Sequence, residues 1–267
     1  MLVVSVISLK GGVGKTSVVL GLAGAAVARG MSVVVVDMDP QGNATSVLGA
    51  RRSRATLADA MGNPDEATVT AALTKTEWTG AGGSVRLLPS DADLVRFDAW
   101  APGRKLRPRL RRALAHLDGV DLVLIDCPPS LGALTREALA AANLAVVVTT
   151  PSFFGAQGAD RALAEIREIR DTVNPDLEFA GIVVNRLRES TEEHRYRKRE
   201  LIDLYGAQAL LKPAIPDRVA VQQAESTGQP LHAVKSSGAR ELAKAFDKML
   251  NRLLKRARKT TQPSDQT

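Results

Sequence analysis

The sequence has one cysteine, Cys127, in 267 residues. A disulfide within the chain is excluded, and a thiolate-built metal or iron–sulfur site on one chain is disfavoured. Aromatic residues make up only 3% of the chain. That is too few for a platform on which successive unpaired bases stack, so single-strand recognition is not expected. No apolar run approaches the roughly 18–20 residues that a bilayer span needs. The chain starts directly on an apolar run, Leu2 to Ile7, with no basic-then-apolar leader ahead of it. A cytoplasmic protein is the expectation.

What is present suits a sizeable α/β core. Hydrophobic residues make up 45% and charged residues 24%. One domain is expected over residues 1–259, and the polar stretch 260–267 is expected to be a disordered tail. The net charge of +7 permits an anionic partner, DNA or a membrane surface, without choosing between them.

The most informative segment is Leu9 to Ser17, L-K-G-G-V-G-K-T-S, set between an apolar run and a helical pattern from Val18 to Arg29. Strand, glycine loop and helix form the context of a phosphate-binding loop. Gly11, Gly12 and Gly14 let the chain turn so that successive N–H groups, Val13 included, point at one anion. Lys15 can reach β and γ phosphates, the Thr16 hydroxyl can ligate Mg²⁺, and Ser17 continues the cradle into the helix. The usual pattern G-x-x-x-x-G-K-[ST] would put its first glycine at Leu9, where this chain departs from it. A second lysine, Lys10, stands beside that position.

Apolar β-branched runs alternate with helical patterns, which predicts a mostly parallel sheet with helices on both faces. Strands are expected at 2–8, 32–37, 85–88, 121–126, 144–149 and 180–185. Helices are expected at 15–29, 105–117, 132–142, 156–172, 193–205 and 237–258. In the helix 105–117, Leu106, Leu110, Leu114 and Leu117 are expected to face the core. Residues 51–84 are weakly patterned and read as surface helices and loops.

Ligands of parallel sheets sit at the C-terminal ends of the strands. Two acidic segments fall there: Asp37-Met38-Asp39-Pro40-Gln41-Gly42-Asn43, and Asp126-Cys127-Pro128-Pro129-Ser130. An Asp that ends a strand downstream of a phosphate loop holds Mg²⁺, directly or through water.

Together, the K-G-G-V-G-K-T, D-M-D-P-Q-G-N-A-T and L-I-D-C-P-P-S segments resemble the deviant Walker A, A′ and B motifs of ParA-type partition ATPases, within the ParA/MinD group of P-loop ATPases. Weaker matches stand at Leu88-Pro89-Ser90 and Ile215-Pro216. The resemblance implies ATP and Mg²⁺ as cofactors. It makes Lys10 the lysine that reaches the partner's phosphates across an ATP-sandwich homodimer. It also implies that Lys15 and Thr16 serve phosphate and Mg²⁺ in cis, and that Asp39 positions the attacking water. Asp37 would support the Mg²⁺ shell and its loop, and Asp126 would hold Mg²⁺ through water. Asn185 and Pro216 would contact adenine; a guanine reader would want an acid where this chain has Arg188.

Three segments are rich in cations. Residues 104–112 hold six Lys/Arg and no acid, 186–200 hold six against four Glu, and 240–259 hold eight against two acids. The resemblance implies duplex DNA binding without sequence preference, placed on Arg186, Arg188, Arg195, Arg197, Lys198, Arg199 and Arg218, together with a nucleoid-associated location and a cargo-bound activator of the ParB type. The alternative is a MinD-like membrane-cycling ATPase. The stripe Leu242, Phe246, Leu250, Leu253 and Leu254 suits either a helix on a membrane surface or one packed on the domain. A metal-cluster carrier is disfavoured by the lone Cys127.

Overall fold

The computed structural model describes residues 1–49, 53–98, 108–153 and 155–261. Seven strands form one sheet: β1 Leu2–Ile7, β2 Ser32–Asp37, β3 Thr74–Gly80, β4 Gly83–Leu88, β5 Leu122–Asp126, β6 Leu144–Thr149 and β7 Glu178–Val184, in the order β3-β4-β2-β5-β1-β6-β7. All neighbours are parallel except β3 and β4. The helices are α1 Lys15–Val27, α2 Asn43–Leu48, α3 Leu57–Gly62, α4 Glu66–Ala72, α5 Val95–Asp98, α6 Arg109–Leu114, α7 Ala133–Ala141, α8 Gly155–Thr172, α9 Glu192–Tyr205, α10 Val219–Thr227 and α11 Ser237–Thr261.

Side-chain alternation along the strands feeds two cores. Val4, Val6, Val33, Val35, Leu122 and Leu124 pack with α1 and α11 on one face. Val3, Ile7, Val34, Val36, Val123 and Ile125 pack with α3, α6, α7 and α8 on the other. Strands buried on both faces read as continuous apolar runs, which is why they were legible without alternation. Glycine makes one close packing possible. A Cβ on Gly21 of α1 would lie 2.4 Å from the ring of Phe246 on α11, so this ring seats directly on the α1 backbone.

Two expectations need correction. Residues 51–84 hold helices α3 and α4 but also β3, which pairs antiparallel with β4 at the sheet edge. The α3 residues Leu57, Ala58, Ala60 and Met61 are buried, so this is not a surface helix. The reading failed because β3, T-K-T-E-W-T-G, is an edge strand with a polar outer face; only Thr74 and Trp78 are buried. Trp78 is 3% exposed, and its indole N–H donates to the Gly228 carbonyl at the end of α10 (2.7 Å). The second correction is at the C-terminus, where α11 runs through Thr261 rather than ending at 258; residues 262–267 of the expected tail lie outside the described residues.

Helices α2 and α10 were not anticipated. In α6, Leu110 and Leu114 are buried as expected, as is Leu117 beyond its end; Leu106 lies outside the described residues. In α11, Leu242, Phe246, Leu250 and Leu253 are buried against the domain. The apolar stripe is therefore a packing face. Among the described residues, no helix is long and apolar enough to cross a membrane.

Candidate functional site

Strand order brings the site together. β1 lies between β5 and β6, and β5 lies between β1 and β2. In register, Val6 pairs with Asp126, and Asp126 pairs with Asp37. The phosphate loop leaves β1 at the same edge. The two acidic segments and the glycine loop, distant in sequence, thus end side by side.

The loop runs from Ser8 to Gly14, and α1 starts at Lys15. Gly14 has φ 88°, a conformation that disfavours any side chain, and a Cβ there would fall 2.3 Å from Asn185 Nδ2. That approach is used: Asn185 Nδ2 donates to the Val13 carbonyl (2.8 Å). Lys15 is 7% exposed, and Nζ donates to Ser8 Oγ (3.1 Å); Ser8 Oγ in turn donates to the Lys10 carbonyl (2.9 Å). Burial lowers the Lys15 pKa, against the pull of Asp126. Lys10 is exposed at the rim of the loop, as are Gly11 and Gly12.

The charges of Asp126 and Asp39 act on Lys15, and Asp37 is the in-register neighbour of Asp126. Asp126 is fully buried, and its Oδ2 accepts the Thr16 hydroxyl (2.6 Å). Its Oδ1 is buried and has no hydrogen-bond partner. Burial, reinforced by the charge of Asp37, pushes its pKa up to about 8. A buried carboxylate oxygen without a donor, beside a hydroxyl on the phosphate loop, fits a hard cation. Among the described residues, no cluster of three His, Cys, Asp or Glu side chains could hold a metal by itself. Mg²⁺ at Thr16 and Asp126 would accordingly share its shell with phosphate oxygens and water.

Asp37 faces the other way chemically. Its Oδ2 accepts both the Thr45 N–H and the Thr45 hydroxyl (2.7 Å each), and its Oδ1 accepts the Asp39 N–H (3.3 Å). Burial nevertheless raises its pKa to about 6. These bonds hold the 37–45 loop, the second of the two duties expected of Asp37. Asp39 is 7% exposed; its Oδ1 accepts the Gln41 N–H (3.0 Å), and its carbonyl accepts the Ser90 hydroxyl (2.5 Å).

A cavity of about 430 Å³ adjoins the start of α1. Asn185 and Pro216 line it together with Ser17 and Glu225, so the two expected base contacts share one pocket. Ser17 Oγ donates to Glu225 Oε1 (2.5 Å), tying α10 to the first turn of α1, directly after the phosphate loop. Of the residues expected on DNA, Arg186, Arg188 and Arg218 line this same cavity, and Arg195, Arg197, Lys198 and Arg199 lie on α9. Arg186, with φ 55°, Arg188, Arg195, Arg199 and Arg218 are exposed, while Arg197 and Lys198 are half-buried.

Sequence reasoning missed Ser8, Thr45, Ser90 and Glu225. Thr45 stands inside the quoted 37–45 segment and Ser8 immediately before the Leu9–Ser17 one, and hydroxyls flanking a loop or a strand-end acid are a usable signal for hydrogen-bonded braces. Ser90 belongs to the weak Leu88-Pro89-Ser90 match. Glu225 meets Ser17 across 208 positions, and no local pattern announces it.

A glycine loop from a central strand into a helix, a lysine and a hydroxyl at its end, and a strand-end aspartate on that hydroxyl define a P-loop nucleotide-binding protein. A family profile described as an AAA domain matches residues 1–179. The chromosome partitioning protein ParA of Caulobacter vibrioides is 33% identical over 259 residues, covering 94% of each chain. The chromosome-partitioning ATPase Soj of Thermus thermophilus is 35% identical over 246 residues, covering 91% of this chain and 93% of that one. Among solved structures, the cobyrinic acid a,c-diamide synthase of Mycobacterium smegmatis, with bound ADP and magnesium, matches with a TM-score of 0.79 at 31% identity, over 97% of this chain and 96% of that one. The chain belongs to the family of ParA-type partition ATPases.

Proposed function

We propose that this protein is an ATP-dependent dimerising switch. It binds duplex DNA without sequence preference and hydrolyses ATP to segregate or position a chromosome, plasmid or protein cargo. The observation that carries this reading is the division of labour in the loop. Lys15, bonded to Ser8, and Thr16, bonded to Asp126, form the cis set, while Lys10 stands exposed outside it.

The cofactors are ATP and Mg²⁺, as the ADP and magnesium of the related solved structure support. Lys15 exchanges Ser8 for phosphate oxygens. Thr16 and Asp126 would hold Mg²⁺, whose charge offsets that of the β and γ phosphates. Asp39, on a loop braced by Asp37, Thr45 and Ser90, orients the attacking water. Lys10 of the second copy adds positive charge where negative charge develops on the transferred group, in the manner of an arginine finger. Hydrolysis is then tied to dimerisation, is slow in isolation, and is stimulated by a cargo-bound partner of the ParB type. Asn185 and Pro216 adjoin the base in the 430 Å³ cavity. The protein is nucleoid-associated in this reading.

The packing of the α11 stripe on α1 supports duplex over membrane, because a surface-bound helix needs that stripe for lipid. Co-sedimentation with ATP tests the choice, using duplex DNA against anionic liposomes. ATP-dependent pelleting with DNA and not with liposomes is expected; the opposite pattern would sink the reading.

A further inference from the structure

The cations of this protein divide into two sets. Of the seven residues expected on DNA, five are engaged within the chain. Arg188 pairs with Asp217, Arg197 with Glu193 and Glu200, Lys198 with Glu189, and Arg218 with Glu241. Arg195 donates to the Glu189 carbonyl. Arg197 is also stacked on Phe153 and Tyr196. Each of these groups has part of its donor set, and all but Arg195 part of its charge, committed within the chain.

Helix α11 is different. Arg240, Lys244, Lys248, Arg252, Lys255 and Lys259 are all exposed, and among the described residues their side chains have no hydrogen-bond or ion-pair partner. They recur at intervals of three or four residues. At about 100° per residue they share an arc roughly 120° wide and a row of about 28 Å along the helix axis. That arc lies opposite Leu242, Phe246, Leu250 and Leu253, which pack on α1. The two acids of the helix are spoken for: Glu241 by Arg218, and Asp247 by Arg29 and His232. The ridge therefore presents unopposed positive charge on a rigid support.

We infer that this α11 ridge is the surface that meets the duplex backbone. The inference rests on the duplex-binding reading and moves the contact from α9 to α11. A straight row of cations matches a polyanion that carries one charge per about 1.7 Å of axis. Four of the six are lysines, compact charges on flexible stems, suited to phosphate neutralisation without base readout. An anionic membrane is the competing polyanion, but the apolar face that such binding requires is buried here.

The test uses the full chain with ATP and Mg²⁺, two duplexes of unrelated sequence, and a KCl series. One variant carries Lys244→Gln, Lys248→Gln and Arg252→Gln; another carries Arg195→Gln, Arg197→Gln and Arg199→Gln. Vesicles of phosphatidylglycerol and phosphatidylcholine form a parallel arm. The α11 variant should weaken on both duplexes alike, and its log affinity should fall with log salt less steeply, by about 0.9 per lost phosphate contact, or roughly 2–3 for three. Its DNA-free ATP hydrolysis and thermal midpoint should match the parent. An unchanged salt slope in this variant, with a shallower one in the α9 variant, overturns the assignment and restores α9. Loss of vesicle binding with duplex affinity intact assigns the ridge to lipid instead. A parent protein that binds neither duplex with ATP refutes the duplex reading itself, an outcome distinct from both.

Discussion

Asp37 and Asp126 are in-register neighbours at the C-terminal ends of β2 and β5. Both are fully buried, and burial raises both pKa values, that of Asp37 to about 6 and that of Asp126, with the charge of Asp37 adding to it, to about 8. Their roles diverge through their partners. Asp37 gives both oxygens to the 37–45 loop, whereas Asp126 keeps Oδ1 unbonded. The same residue type thus serves as a brace on one strand and leaves a buried carboxylate oxygen without a donor on the next.

Lys15→Ala removes the buried ammonium beside Asp126 and should weaken ATP binding by at least about 100-fold, since bonds from a charged donor are worth about 1.5–3 kcal/mol each. Lys10→Ala leaves the cis set intact. It should retain ATP affinity yet lose the ATP-dependent dimer. Calorimetry and light scattering separate the two; a dimer in the Lys10 variant would count against a trans contact.

Asp39→Ala should bind ATP and form the DNA-bound dimer but turn over about 10²–10⁴-fold more slowly, the typical contribution of a positioned base. Phosphate release is the readout. Parental turnover in this variant would remove Asp39 from the water-positioning role.

Those expectations show what was legible in the sequence. The phosphate loop and the strand-end acids were readable because each is a short segment with its own chemistry. The strands were readable because double burial makes them continuous apolar runs. What sequence could not supply is pairing across distance: Ser17 with Glu225, Asn185 with the Val13 carbonyl, and the ion pairs that occupy Arg188, Arg197 and Arg218. A run of basic residues looks the same whether its charges are free or spent.

Glu137 provides a pH handle remote from the phosphates. It is 3% exposed, its Oε2 accepts the Leu110 N–H at the start of α6 (3.2 Å), and burial lifts its pKa to about 7. A raised carboxyl pKa favours the folded state while the proton stays on. That contribution is complete below the unfolded value near 4.5 and disappears as pH rises through about 7. Glu137→Gln keeps an acceptor and cannot ionise, so it should flatten the fall in stability between pH 5 and 8, by an amount on the order of 1–3 kcal/mol. Urea unfolding across that range reads it; an unchanged pH slope would dismiss the effect.

Phe246→Ala should cost about 3–5 kcal/mol through the cavity left on α1. Gly21→Ala should cost about 1–3 kcal/mol by overpacking against the same ring. Phe246→Leu in the Gly21→Ala background should recover part of that loss, since residues in contact couple. Strict additivity in denaturant melts would mean that the ring and the glycine do not share the space seen here.

Trp78 links three parts of the molecule: it sits on the edge strand β3, is shielded from water, and bonds the backbone where α10 ends. Helix α10 reaches the first turn of α1, next to the phosphate loop, through Glu225. The molecule consequently carries a built-in fluorophore bonded to the end of the helix that lines the cavity beside the phosphate loop. With Trp100, the second of the two tryptophans, changed to phenylalanine, nucleotide occupancy could be followed by intrinsic emission without attaching a dye.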